Sequence, residues 1–473
     1  MRKQIGLVTL FLVLCTLASA AEYDLRTVLQ FNTATQLGQC RAVPVNLGDQ
    51  KGIFLAYCED AEIDPFVDMF FFPKHRLKFA VYTLEGKEVW KKELGPGVIP
   101  GLWFCPVFPF DLNQDGADEI WFVNNIDDDH PFIPKGRRLE QLDARTGKTM
   151  AQYRWTDAPH NQRNSFRYRE FVFGGYVSNK PVLVTAQGTY GAMALQAWNP
   201  DMQKRWEYII ADNAPGARGS HMCPVLDINN DGSDELFWGE RCISLDTGKE
   251  LFCADRDSYR GHSDVIQPIL DSRNKRWSLF TCRESDGYKP RVVMFDDQGQ
   301  RIWSDLEIGH MDMGWAARLG PGEEPLVMAV RIGGKGAGPG GFHRKNVEEF
   351  VYDAKTGHKV QLKFSVYCTL PVDFNGDGFH ELARGIAEGN GEVLDRTGRV
   401  IGKLDGSIVM ASKFMNLPGE QVLCYSKDGT ISIWSDRNAT DNEAANLRYN
   451  HPFYKANQRL TACGYNLVNL GGL

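Results

Sequence analysis

Three histidines occupy similar settings: His221 in "RGSHMCPVLDI", His262 in "RGHSDVIQPIL" and His310 in "IGHMDMGWAAR". Each stands at the head of a run that turns apolar, and they lie 41 and 48 residues apart. Imidazole changes charge near neutral pH, so it can move protons; in its neutral form it is also a common metal ligand. Three copies from equivalent places in a repeat could therefore transfer protons. They could equally hold a transition metal such as Zn2+, with Cys223 or Cys282 as a thiol neighbour. A single histidine at a strand start is usually a hydrogen-bonded structural residue, and three in series weaken that reading.

A second set of groups suits a hard cation. "DLNQDGADE" (111–119), "DINNDGSDE" (227–235) and "DFNGDGFHE" (373–381) each place oxygens at the first, third and fifth positions and a glycine at the sixth. Such loops can wrap Ca2+. The expected ligands are Asp111, Asn113, Asp115 and Asp118; Asp227, Asn229, Asp231 and Asp234; and Asp373, Asn375 and Asp377. The competing reading is a polar turn that uses Asp, Asn and Gly for its backbone geometry. The third loop has His380 where the others carry an acid.

The elements that must position these groups are short strands. Hairpin signals recur at "YTLEGKEVW", "LDARTGK", "WNPDMQKRW", "LDTGKEL", "FDDQGQRIW", "YDAKTGHKV" and "LDRTGRV", with "WSDRNAT" as an eighth copy lacking its glycine. Runs that could start an inner strand begin near Cys40, Trp103, Tyr168, His221, His262, His310, Tyr367 and Met410. Periods of this length, with no long amphipathic helix, predict an all-β chain: a β-propeller of eight four-stranded blades, seven being the fallback. Blade order then puts the acidic loops on one face. The inner-strand starts and the loops after the second strands share the other, so the three histidines belong to one rim.

That rim collects further polar groups: Asn125 and His130 in "NNIDDDHPF", Tyr190 in "QGTYGAM", and Arg283, Tyr288 and Lys289 in "CRESDGYKP". Arg218 and Arg260 precede two of the histidines, and "RIGGKGAGPGGFHRK" adds Arg331, Lys335, His343 and Arg344. The glycine run lacks the G-K-[ST] ending of a phosphate loop and reads as a lip over a cleft. Arginine and lysine beside histidine and tyrosine suit an extended anionic ligand. β-Elimination from a uronic acid needs a neutralised carboxylate, a base for the C5 proton and an acid for the departing oxygen. Hydrolysis would need two acids, and Asp264, Glu284 and Asp312 are available.

The first twenty residues, "MRKQIGLVTLFLVLCTLASA", read as a secretory signal, leaving residues 21–473 as a single propeller domain, secreted or periplasmic. The formal charge of −7 becomes −9 without Arg2 and Lys3, which argues against nucleic acid or an anionic membrane as partner. Ten cysteines remain. Cys105, Cys223 and Cys368 sit in apolar runs, and Cys242 and Cys253 flank a hairpin symmetrically enough to suggest a disulfide.

The acidic loops, the "G-H-x-D" strand starts and the tail "NHPFYKANQRLTACGYN" (450–466) resemble the β-propeller polysaccharide lyases: the rhamnogalacturonan, ulvan and rhamnose–glucuronate lyases. The resemblance implies an exported enzyme that cuts an acidic polysaccharide by β-elimination. It implies Tyr190 as catalytic acid or acid/base and His262 or His130 as base. Arg218, Arg260 or Arg283 would meet the carboxylate, with Asn125, His221 and His310 completing the substrate site. The second blade departs from the pattern, with Asn124 and Asn125 where a base histidine would stand. The alternative is a glycan-binding propeller without catalysis.

Overall fold

A computed structural model describes residues 23–62, 73–126, 136–155, 164–284, 287, 289–319, 325–338, 341–385, 389–464 and 472–473. The leader, His130 and Tyr288 fall outside these residues. Among the described residues no helix is long and apolar enough to cross a membrane.

Eight antiparallel sheets follow one another around a central channel. Their inner strands are Gln39–Asn46, Val107–Phe110, Glu170–Val177, Val225–Leu226, Ser263–Asp271, His310–Ala317, Leu370–Val372 and Ser407–Ser412, defining blades 1 to 8. Each begins within four residues of its expected start. The inner and second strands are apolar almost throughout, as in Lys51–Cys58, because they are covered on both faces by neighbouring blades. Outer strands such as Glu88–Glu93 alternate and face water.

Two blades depart from the simple pattern. In blade 6 the fourth strand shrinks to a bridge between Tyr352 and Lys359, and a separate ribbon, Gly334–Gly338 with Gly341–Lys345, is inserted. In blade 8 "WSDRNAT" leads to no outer strand. The N-terminal strand Leu25–Asn32 pairs with Thr430–Asp436 instead and closes the ring. That pairing releases the C-terminal segment, which forms the helices Glu443–Asn450 and Pro452–Gln458 and a 3-10 turn, Arg459–Ala462. The segment runs from blade 7's acidic loop, where Arg448 pairs with Asp373, to blade 2, where Arg41 donates to the carbonyls of Cys105 and Ala462. The carbonyls of Gly472 and Leu473 accept from Leu270 N–H and Arg318 Nε.

The recurrent hairpin glycine joins one blade to the next. Gly248 has φ +70°, and a Cβ there would lie 2.6 Å from Cδ2 of Trp206 on blade 3's outer strand. Trp206 Nε1 donates to Leu245 O at 2.7 Å across the same seam. The pairs Gly147–Trp90 and Gly357–Trp303 repeat the arrangement. Gly248→Ala should therefore destabilise the fold by about 2–4 kcal/mol, through left-handed strain and overpacking together. A thermal melt within a degree of wild type would contradict it.

The acidic loops hold their own backbones. Asp111 accepts from the N–H groups of Asp115 and Gly116, and Asn113 from Asp115; Asp227 and Asn229 do the same for Asp231 and Gly232. Asp118 and Asp234 are not directed at the loop. Asp118 Oδ2 accepts from Asn46 N–H of blade 1 at 2.6 Å, and Asp234 Oδ2 from Tyr176 N–H of blade 3 at 2.7 Å. Burial raises both carboxyls above the ordinary range, Asp234 to about 6. These two expected cation ligands are inter-blade staples. His380 has the same task in blade 7: Arg318 N–H of blade 6 donates to its Nδ1 at 3.0 Å. Burial holds His380 neutral, as an acceptor at this position must be. In the third loop Asp373 also meets the Arg448 guanidinium and the Tyr449 hydroxyl, so a cation is already supplied from within the chain.

The expected Cys242–Cys253 disulfide is not formed, and both thiols are free. Cys242 pairs with Phe252 and Cys253 with Arg241, so the two cysteines are one residue out of register. Alternation along a strand sends their side chains to opposite faces. Cys105, Cys223 and Cys368 are buried, as expected.

Candidate active site

The three histidines come together, and the residue that gathers them is Asp264. His221 Nε2 lies 3.3 Å and His262 Nε2 3.5 Å from Asp264 Oδ1, while His310 Nε2 lies 3.0 Å from Oδ2. The rings of His221 and His262 are 4.3 Å apart, where a parallel bridge between Ser220 and Ser263 joins blades 4 and 5. Glu284 completes the group from the end of blade 5's second strand, 4.0 Å from His262 and 3.8 Å from His310.

The "G-H-x-D" pattern owes its geometry to a bulge. In blade 5 the pairing skips from Ser263 to Val265, and in blade 6 from Met311 to Met313. Asp264 and Asp312 are the unpaired residues, and a bulge of this kind re-aims a side chain that regular alternation would send elsewhere. Here it points both carboxylates at His310, with Asp312 Oδ1 3.3 Å away.

Electrostatics follow from this crowding. Burial by itself would raise the Asp264 carboxyl, but His221, His262 and His310 around it hold it well below the ordinary range. Burial, reinforced by the neighbouring His262, keeps His221 neutral. Burial also opposes a charge on His310, yet Asp264 and Asp312 outweigh it and lift its pKa to about 10. His262 Nδ1 lies 3.1 Å from Thr189 O. A carbonyl only accepts, so Nδ1 carries a proton, and Nε2 is the ring atom that faces Asp264.

Tyr190 lies over this group. Its ring packs on His262 at 4.4 Å and on Phe166 at 5.4 Å, and its hydroxyl donates to Glu284 Oε2 at 3.0 Å. Burial pushes the phenol well above its usual pKa, against the pull of Arg169, whose guanidinium sits 5.3 Å from the ring. The phenol is therefore a proton donor at neutral pH.

Several expected residues are placed elsewhere. Arg283 is fully buried, paired with Glu240 at 2.6 Å and Asp255 at 2.8 Å and stacked 3.8 Å over Tyr259. Tyr259 donates to His262 O at 2.6 Å, so this network holds the histidine backbone from behind. Arg218 is buried too, its guanidinium clamping the carbonyls of Ala211, Ala214 and Gly216. Arg260 donates to Asp212 O at the surface. Asn125 lines a small cavity with Phe104, Arg137, Tyr168 and Glu170, in blades 2 and 3. Cys282 Sγ faces Met313 O, and among the described residues no thiol joins the histidines.

Among the described residues the cations that reach the group include Arg169, Lys335 and Arg344, the last two paired with Asp312. Arg169 went unread in the sequence because it is one of many arginines; its place just before blade 3's inner strand was the available signal.

Among the described residues, two groups of His, Cys, Asp and Glu have ligand atoms close enough to share an ion: His221, His262, Asp264 and Glu284, and Asp264, His310 and Asp312. In both, all ligand atoms lie within 4.8 Å of one another. The acidic loops do not form such a group.

Residues 136–327, which span blades 3 to 5 and so His221, His262, Asp264 and Glu284, match the rhamnogalacturonan lyase family 11 C-terminal domain. Over that stretch the chain is similar to the family 11 rhamnogalacturonan lyases. The rhamnogalacturonan exolyase YesX of Bacillus subtilis (strain 168) is 26% identical over 282 residues, covering 51% of this chain and 44% of the relative. The endolyase YesW of the same organism is 22% identical over 273 residues, covering 51% and 43%. The matched stretch is thus less than half of either relative. In fold, the crystal structure of YesX superimposes with a TM-score of 0.76 at 19% identity, over 92% of this chain and 77% of that one. The Bacillus licheniformis family 11 lyase gives 0.73 at 18% identity, over 94% and 80%.

Proposed function

We propose that this chain is an exported polysaccharide lyase that cleaves a uronic-acid-containing pectic glycan of the rhamnogalacturonan type by β-elimination. The observation that carries this reading is the convergence of Tyr190, Glu284 and the three histidines on Asp264, inside the region that matches the lyase family. The leader-like residues 1–20 support export.

The roles follow from which groups a sugar can touch. His262 is fully buried behind Tyr190, so it moves from the expected base to the set that organises the site. Tyr190 is partly exposed and protonated, and hands its proton to the departing glycosidic oxygen. His130, the other expected base, which lies outside the described residues, would take the C5 proton. Two imidazoles and two carboxylates whose ligand atoms lie within 4.8 Å of one another fit a divalent cation. His221, His262, Asp264 and Glu284 would hold it. Such an ion supplies positive charge against which a uronate carboxylate acidifies its C5 proton. Ca2+ is assigned to the two exposed loops at Asp111, Asn113 and Asp115 and at Asp227, Asn229 and Asp231, where it would tie the turn together.

The test is incubation with rhamnogalacturonan, ulvan and a gum-type glucuronan, following ultraviolet absorbance from the unsaturated product. Absorbance should rise with rhamnogalacturonan. Binding without any rise would favour the non-catalytic glycan binder. Chelation separates the cation sites: loss of activity reports on the histidine group, and a lower melting temperature on the loops. Unchanged activity and melting after chelation would remove both.

A further inference from the structure

The inserted ribbon of blade 6 holds two cations side by side. Lys335 on Gly334–Gly338 is directly opposite Arg344 on Gly341–Lys345. Directly opposed residues share one face of a ribbon, and like charges there repel unless an anion lies between them. The anion is Asp312, with Lys335 Nζ on Oδ1 and Arg344 Nε on Oδ2. The two cations thus grip the two oxygens of a carboxylate, as a receptor for a carboxylate would.

Exposure gives the arrangement a direction. The Asp312 side chain is 2% exposed, whereas Lys335 and Arg344 keep 25% and 18% of theirs open. The aspartate holds the pair from below, and the pair meets solvent above. Asp312 is also 3.3 Å from His310, so the ribbon cations border the histidine group itself. The chain as a whole is acidic, with a formal charge of −7, against which this paired lysine and arginine stand out.

We propose that Lys335 and Arg344 form the recognition site for a uronate carboxylate of the glycan, with Asp312 holding both cations ready in the free protein. The pair decides between acidic and neutral sugars at this position; the choice of uronate as ligand rests on the lyase reading above. Charge-assisted bonds from an ammonium and a guanidinium to one carboxylate are the strong kind, and the planar guanidinium adds direction.

The test is binding, measured by calorimetry, of a rhamnogalacturonan oligosaccharide and of the same oligosaccharide with its uronates reduced to neutral sugars. Wild type should bind the acidic form roughly 10- to 100-fold more tightly. The double variant Lys335→Gln/Arg344→Gln should bind both forms alike, while Lys335→Arg keeps most of the preference. Should the double variant not fold, Lys335→Gln alone should lose a large part of the preference. A preference that survives these substitutions, or that wild type lacks, overturns the proposal. Lost preference without any ultraviolet-absorbing product would keep the carboxylate site and reject the lyase reading. Undiminished preference with product formation would do the reverse.

Discussion

Tyr190→Phe is expected to lower kcat by roughly 10²–10⁴-fold while leaving KM and thermal stability close to wild type. The substitution removes one oxygen and nothing else. The ring keeps its packing between His262 and Phe166 and its position beside Arg169. What is lost is the proton held on the phenol and its hydrogen bond to Glu284. Removing that bond does not strand Glu284 in an apolar setting, because its side chain is 26% exposed and water can replace the hydroxyl. A purely structural tyrosine would behave in the opposite way, lowering the melting temperature and sparing kcat. Steady-state kinetics on rhamnogalacturonan beside a melt distinguishes the two, and a kcat within a few-fold of wild type would remove Tyr190 from the chemistry.

Asp264→Asn should have the second large effect, on cation binding and stability together. Among the described residues, Asp264 is the one carboxylate within 3.5 Å of all three histidines. The amide has the same shape but no charge, so the imidazoles lose the anion that offsets them. Removing one partner of a buried ionic group typically costs about 3–5 kcal/mol. Affinity for a divalent ion should fall on the order of 10²-fold or more, since even outer-shell partners of a metal are worth 10- to 100-fold. Titration of the chelator-stripped protein with Ca2+, Mn2+ and Zn2+, read by calorimetry, measures this directly. If Asp264→Asn takes up the ion as wild type does, the cation assignment to this group is wrong. The partner variant Asp312→Asn separates the two halves of the site. Asp312 contacts His310 and the ribbon and lies outside the group of four, so its loss should spare cation uptake.

How far the site could be read in advance differs residue by residue. His221, His262 and His310 were placed correctly on one rim because repetition turns sequence distance into blade number. Tyr190 was found for the same reason, since it follows blade 3's second strand as Glu284 follows blade 5's. The arginines were misjudged: Arg218 and Arg283 lie near the right strand ends, but near does not say which way a long side chain turns. Arg283 turns inward because Glu240 and Asp255 come from another blade and another turn to meet it. Asp264 was noticed only as a spare acid. Its central place comes from a bulge, and a bulge is a misfit between two strands that neither strand carries alone.

The acidic loops make the same point from the other side. Their spacing is that of a cation loop, and nothing local distinguishes an oxygen aimed at an ion from one aimed at a neighbour. Asp118 and Asp234 accept from the preceding blade, and His380 does their work with a ring nitrogen. The change from acid to histidine in the third loop keeps the same task with a different acceptor, visible only once blade 6 is beside blade 7.

The amino-acid sequence by itself pointed to the propeller and to eight blades ahead of seven, because alternation, turn chemistry and period are properties of one strand and its next turn. It also determined that three histidines share a rim. Tertiary structure alone decided which acid gathers them, which arginines are buried, how the N-terminal strand closes the ring and where the last helices go. Those outcomes depend on pairs of groups far apart in the chain, and the energy of such a pair is set by distance and burial, which no stretch of sequence contains.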